Sequence, residues 1–210
     1  SSDQLGTAKG SDVVTDLLGY IYVVGDYDNT VGFNSLEIGG DFGTMYVAKY
    51  HPDGHPLWVR EISGSSNNHM IAVDIDLTGN LYIAGSYQHT NSFTELDFGT
   101  FSVSGNGSDN TFIAKIDTAG AWQWVNTILS TGPSAVNGKM VAPYDMVWTA
   151  SGCIMAGRVE EQVTVDNGTY NNNNDDTFFF AKFDEDGDLL WFEHGAGRMY
   201  DLRLVAGDNG

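Results

Sequence analysis

One pattern recurs three times along the chain and constrains its fold more than any other feature. Ala48-Lys49-Tyr50, Ala114-Lys115-Ile116 and Ala181-Lys182-Phe183 follow one another at lysine spacings of 66 and 67 residues. Nine residues after each lysine stands a tryptophan: Trp58, Trp124 and Trp191. A glycine turn lies between lysine and tryptophan, and aromatic or apolar residues precede each Ala-Lys, as in Met45-Tyr46-Val47 and Phe178-Phe179-Phe180. A second block comes earlier in each unit, as Tyr20-Ile21-Tyr22-Val23-Val24-Gly25, Leu81-Tyr82-Ile83-Ala84-Gly85 and Cys153-Ile154-Met155-Ala156-Gly157. Each unit opens on an acid in an apolar alternation, at Asp12, Asp74 and Asp145, and this opening returns as Asp201-Leu202-Arg203-Leu204. Fixed-period self-similarity of this kind is the mark of a repeat architecture.

The blocks are short, rich in Val, Ile, Tyr, Phe and Trp, and bounded by Gly, Asn and Asp, which is how strands and tight turns read. A weaker strand is expected mid-unit, at Ser35-Leu36-Glu37-Ile38, Thr100-Phe101-Ser102-Val103 and Gln162-Val163-Thr164-Val165. No window shows a 3.6-residue period, so little or no helix is expected. The expected fold class is all-β: a propeller-type array of about three blades, each of four or five antiparallel strands, plus the first strand of a fourth. The blades fall at about 11–65, 72–131 and 143–195. The segment 199–210 is expected to be a strand that pairs with the N-terminal blade, with missing sequence or with a neighbour. Three blades do not close a ring, since propellers use ~4–8. The array is therefore part of a longer chain, completed by copies, or openly stacked.

The succession acid, strand, Gly, Tyr-x-x-Gly, Phe-x-Ala-Lys-x-Asp-x-x-Gly and Trp resembles the bacterial β-propeller repeat family often labelled SBBP. The second unit carries it best, in Asp76-Leu77-Thr78-Gly79-Asn80-Leu81-Tyr82-Ile83-Ala84-Gly85, Phe112-Ile113-Ala114-Lys115-Ile116-Asp117 and Trp124. The likeness spans roughly 10–208. It implies a blade array on a secreted or surface-exposed bacterial protein, often within a much longer chain. Two departures stand out: Tyr50 and Pro52-Asp53-Gly54 in the first unit, and Cys153-Ile154-Met155 in place of tyrosine in the third.

Charge narrows the partners. With 28 acidic against 9 basic side chains the net charge is −19. Nucleic acid binding, which needs Lys and Arg to neutralise phosphate, is not expected, nor is an anionic membrane surface. No apolar run reaches the ~20 residues of a membrane span, so no membrane insertion is expected. Cys153 is the single cysteine. It sits in an apolar run and reads as a core residue, and no intrachain disulfide can form. The start at Ser1-Ser2-Asp3-Gln4 reads as a processed or trimmed terminus.

Candidate chemistry is sparse. Asp184, Asp186 and Asp188 alternate as in a calcium loop. The matching turn Asp117-Thr118-Ala119-Gly120 lacks those ligands, which favours a structural turn and leaves calcium open. Lys49, Lys115 and Lys182 are expected to pair, partly buried, with Asp12, Asp74 and Asp145 inside each blade, because a buried charge must be matched. Trp58, Trp124 and Trp191 suit packing between blades better than a ligand-stacking row; Trp122 and Trp148 are freer for surface contact. Among His51, His55, His69, His89 and His194, only the first two are four apart, and across a Pro-Asp-Gly turn rather than on a helix face, so no metal site is expected. No nucleophile elbow or phosphate loop appears, and no catalytic or cofactor-binding residue is assigned. The polar stretches holding Asp41, Asn106, Asp109, Asn172 and Asp175 each precede an Ala-Lys strand and are expected to form binding loops on one face. The expected function is a non-enzymatic extracellular or cell-surface module for interaction or assembly. Its partner is another protein or further blades. A structural subunit of a fibre and a glycan-binding or glycan-cleaving propeller are the alternatives.

Overall fold

The computed structural model describes residues 6–64, 67–88, 95–105, 109–131, 141–160, 162–166, 168–171, 177–197, 199–200 and 202–206. Every regular element among them is a strand: β1 (Thr7–Thr15), β2 (Ile21–Phe33), β3 (Leu36–Tyr50), β4 (Pro56–Ile62), β5 (His69–Ile75), β6 (Leu81–Gln88), β7 (Glu95–Asp97) and β8 (Ser102–Ser104), then β9 (Asp109–Ile116), β10 (Trp122–Ser130), β11 (Val141–Thr149), β12 (Gly152–Val159), β13 (Gln162–Val165), β14 (Gly168–Asn171), β15 (Thr177–Phe183) and β16 (Leu189–Ala196). The chain is all-β, and no helix among the described residues is long and apolar enough to cross a membrane.

Three four-stranded antiparallel meanders carry the fold, in the orders β1-β2-β3-β4, β5-β6-β9-β10 and β11-β12-β15-β16. Their first strands lie side by side, β1 against β5 and β5 against β11. Period-2 alternation sends successive side chains to opposite faces. On β6 both faces are apolar, and Leu81 through Gly85 are all buried. Ile83 joins a core with Tyr22, Val24, Met45 and Val47 of the first meander. Tyr82 and Ala84 join another with Met146, Met155, Phe179 and Phe192 of the third. The middle meander is thus buried on both sides by its neighbours. The outer strand β16 shows the contrast, with Leu190 and Trp191 exposed.

The glycine that ends each second-strand block has a steric cause. The first strand bulges at Gly10/Asp12, Met70/Ala72 and Pro143/Asp145. That bulge drives a carbonyl at the partner strand. A Cβ on Gly25, Gly85 or Gly157 would stand 1.9, 2.6 or 2.2 Å from the oxygen of Lys9, His69 or Ala142.

The mid-unit strands behave differently from the expectation of a fifth strand within each unit. In the first meander Leu36–Ile38 belongs to β3, which runs on through Gly39, Gly40 and Asp41 to Tyr50, so the Asp41 position is strand rather than loop. In the second, β7 and β8 form a hairpin of their own that is bridged to Ser63, just past the outer strand β4 of the preceding meander. In the third, β13 and β14 leave their own meander and add to the outer strand β10 of the second, giving a six-stranded sheet. An outer strand has unpaired N–H and C=O groups, and the inserted hairpin satisfies them. Residues 202–206 lie in no ladder. Leu204 instead donates its N–H to the Asp145 carboxylate.

Candidate functional site: the joints between meanders and the open last meander

Two sets of side chains join one meander to the next. The first set is acidic. Asp12 Oδ2 accepts the Val73 N–H at 3.0 Å, Asp74 Oδ2 accepts the Trp148 N–H at 2.6 Å, and Asp145 Oδ2 accepts the Leu204 N–H at 2.6 Å. The other oxygen of each takes the N–H of its own next residue, Val13, Ile75 or Met146. Asp12 and Asp74 therefore tie their own strands to the first strand of the following meander, and Asp145 holds the ladder-free segment at Leu204 in the same way. Burial raises the Asp74 carboxyl above the usual carboxylate range, against the N–H bonds from Trp148 and Ile75.

The three acids are not at equivalent positions. Asp12 pairs with Val24 and Asp145 with Ala156, each just past the bulge, where the second meander has Ala72 opposite Ala84. Asp74 lies two residues on, opposite Tyr82. The amide that donates to it has moved by the same two residues, so the link survives the slip and the side chain stays on the same face.

The second set comes from the third and fourth strands. Tyr22, Lys49 and Trp58 form one cross-strand row, Tyr82, Lys115 and Trp124 the next, and Ile154, Lys182 and Trp191 the last. Lys49 Nζ and Trp58 Nε1 both donate to Thr118 O, at 3.0 and 3.2 Å. Lys115 Nζ and Trp124 Nε1 both donate to Glu185 O, at 3.2 and 2.9 Å. Two residues beyond each tryptophan a further donor reaches the same turn: Arg60 Nε to Gly120 O at 2.7 Å, Asn126 Nδ2 to Gly187 O at 3.0 Å. Lys49 and Lys115 lie over the faces of Tyr22 and Tyr82, both at 5.0 Å. Burial lowers the Lys49 ammonium from its ordinary range. Each meander thus grips the third-to-fourth-strand turn of the one after it.

The expected Asp–Lys pairs within a unit are replaced by this arrangement. The second strand stands between acid and lysine, and two strand spacings amount to ~10 Å. The lysines reach outward to a carbonyl instead. Trp58 and Trp124 lie between meanders. Trp122 is half-buried with its ring 5.0 Å from Phe98, and Trp148 is half-buried against the core between the second and third meanders, so neither is a free surface ring.

The gripped turns share one construction. Asp117 Oδ1 accepts the N–H groups of Ala119 and Ala121, and Asp184 Oδ1 those of Asp186 and Asp188. Asp184 is a turn cap, with that oxygen engaged by two backbone donors. The equivalent turn of the first meander is His51 to His55, and no cap aspartate stands there. Its side chains gather: His51 Nδ1 and His55 Nδ1 lie 3.0 and 2.5 Å from Asp53 Oδ1. The His55 N–H holds the Asp53 carboxyl below the usual range. Among the described residues these three are the one group of His, Cys, Asp and Glu close enough to share an ion. The expectation of no metal site rested on the pair lying across a turn rather than on a helix face; the turn brings both Nδ1 atoms to one carboxylate oxygen.

Cys153 is buried and free, and burial pushes its thiol up to about 12. Of the loop residues, Asp109 begins β9 and accepts from Gln88. Asn106, Asn172 and Asp175 lie outside the described residues. A cleft of about 540 Å³ runs beside β4, walled by Arg60, Glu61, Asp97, Phe98 and Trp122. No family model matches the chain, and no curated protein matches it significantly.

The last meander is the exception to the grip. Lys182 and Trp191 hold the places of Lys115 and Trp124, and no turn lies on them among the described residues. Lys182 Nζ donates to Ser151 Oγ at 2.7 Å, and Trp191 is 38% exposed. Ile154 replaces the tyrosine, and Glu193 stands where Arg60 and Asn126 stand.

Proposed function

We propose that the chain is a non-enzymatic, propeller-type blade array of an extracellular or cell-surface bacterial protein, and that its work is interaction and assembly. Three meanders with adjacent first strands, the first two each gripping the turn of the next, support a blade arrangement. The observation that carries the reading is the exposed Lys182–Trp191 pair on the last blade, built like two pairs that each hold a neighbour's turn. The partner it fits is another blade's hairpin. Glu193 adds an acceptor where the filled joints have donors, so the partner turn brings a cation or an N–H group with it.

Sedimentation equilibrium over a wide concentration range tests this. Association that weakens when Trp191 or Lys182 becomes alanine is the expected result. A monomer at every concentration, indifferent to those substitutions, overturns assembly through this end. The cleft beside β4 favours glycan binding as a second reading, since its Glu61 and Asp97 carboxylates suit sugar hydroxyls. Calcium and every other cofactor stay outside the proposed function.

A further inference from the structure

We propose that the turn His51-Pro52-Asp53-Gly54-His55 binds a borderline divalent cation such as Zn²⁺, Ni²⁺ or Cu²⁺ through two imidazole nitrogens and one carboxylate. The turn has the same backbone bonds as its two counterparts: His51 N–H to His55 O at 2.9 Å and Gly54 N–H to His51 O at 2.8 Å. It lacks their cap. A carboxylate there would accept two N–H groups at 2.9–3.0 Å, as Asp117 and Asp184 do. His51 Nδ1 takes only the Asp53 N–H, at 3.3 Å, and the His55 N–H turns to Asp53 at 3.2 Å. The first meander has given up the stronger cap and placed imidazoles at both ends of the turn.

Those imidazoles are oriented. Their rings stack at 4.6 Å and 17°, and Tyr20 meets His51 edge-on at 5.6 Å. Both Nδ1 atoms face one carboxylate oxygen, and the three candidate ligand atoms lie within 4.8 Å of one another. The side chains stand on an exposed turn and can rotate apart from their hydrogen-bonded pose toward the ~2.0–2.2 Å bond lengths that zinc makes with N and O. Two imidazoles with one carboxylate select borderline metals over Ca²⁺ and Mg²⁺, which take oxygen ligands. The outward side of the turn is exposed, which leaves room for water or a fourth ligand. A −19 chain raises the local cation concentration in addition.

The site does not depend on the assembly reading, because it lies on one hairpin of the first meander. Calorimetric titration of the whole chain with ZnCl₂ in chelator-free buffer tests it. One equivalent is expected to bind above a weak acidic background. His51→Ala and His55→Ala should each lower that affinity by at least ~10-fold, the loss typical of even an outer-shell partner. Asp186→Asn, on the matching turn of the third meander, should leave it unchanged. Cu²⁺ bound to the unaltered chain should show hyperfine splitting from two imidazole nitrogens, a readout that needs no variant. Equal zinc affinity in the unaltered chain and the histidine variants, or a copper spectrum with oxygen ligands alone, overturns the site.

Discussion

The joint between the second and third meanders and the free edge of the third are built from the same residue positions and do opposite things. At the joint, Lys115, Trp124 and Asn126 converge on two carbonyls of one turn, and Gly187 lets the indole lie against that turn's backbone. At the free edge, Lys182 turns back to Ser151 and Trp191 stands half in solvent. A lysine and a tryptophan in register therefore do not by themselves make a joint. What stabilises is the carbonyl they share, because two donors and an apolar ring are satisfied by one acceptor that would otherwise need water.

The tryptophans separate the two ends most sharply. Trp124→Ala removes an indole wedged between two meanders and one of the two donors to the Glu185 carbonyl, so it should cost about 3 kcal/mol, at the lower end of the range for buried aromatic truncations. Trp191→Ala should stay within ~0.5 kcal/mol, like other surface changes. Denaturant melts of the two variants at a concentration where the chain is monomeric make the comparison. Equal losses would show that Trp191 is packed as Trp124 is, and the free edge would cease to be free.

Much of this was legible beforehand, and the boundary is physical. Strands and turns obey local rules, so Ala-Lys-x, Tyr-x-x-Gly and Asp-x-x-Gly could be placed from spacing alone. The glycines facing the bulges recur because a carbonyl 2.6 Å or less from any Cβ leaves no alternative. Contacts between units follow no local rule. The Asp–Lys pairing looked compelling because both recur, yet a strand lies between them and each reaches a different neighbour. Asp74 is not the equivalent of Asp12 and Asp145: a two-residue slip along the strand keeps the side chain on the same face, so the spacing pattern does not reveal it. The β13–β14 hairpin has an ordinary strand composition that says nothing of which sheet it joins. His51 and His55 carried one usable signal, namely that a turn capped by aspartate in two units has histidine in the first.

The acids sharpen the comparison at the first strands. Asp74→Ala leaves the Trp148 amide without its acceptor inside a filled joint and should cost about 1–3 kcal/mol. Asp145→Ala releases its neighbour Met146 and, across the joint, only Leu204, in a segment without a ladder; it should cost about 1 kcal/mol and speed exchange of the Leu204 amide while leaving the Val73 amide protected. The pH dependence has a definite sign. Burial raises the Asp74 carboxyl in the fold, so the folded state binds a proton more readily than the unfolded chain. Its contribution is greatest at low pH and is lost as pH rises through the raised value. Asp74→Asn should abolish that part of the slope. A slope that survives the substitution would assign the titration to another acid, with Asp26 the next candidate because burial raises it as well.

The lysines give the smallest difference and the most specific one. Lys115→Met keeps the aliphatic stem along Tyr82 and removes the ammonium, so packing is nearly unchanged while the Glu185 bond and the cation–π contact are lost. The expected cost is about 1 kcal/mol. Lys182→Met has neither a tyrosine beneath it nor a neighbour's carbonyl to lose, and its bond to Ser151 is an exposed one; the expected cost is ~0 kcal/mol on the same scale. Adding Trp124→Ala to Lys115→Met should cost more than the two losses summed, since either variant alone leaves the Glu185 carbonyl one donor and the pair removes both. Strict additivity in that double-mutant cycle would mean that lysine and tryptophan act on separate partners, and the grip as a unit would fail.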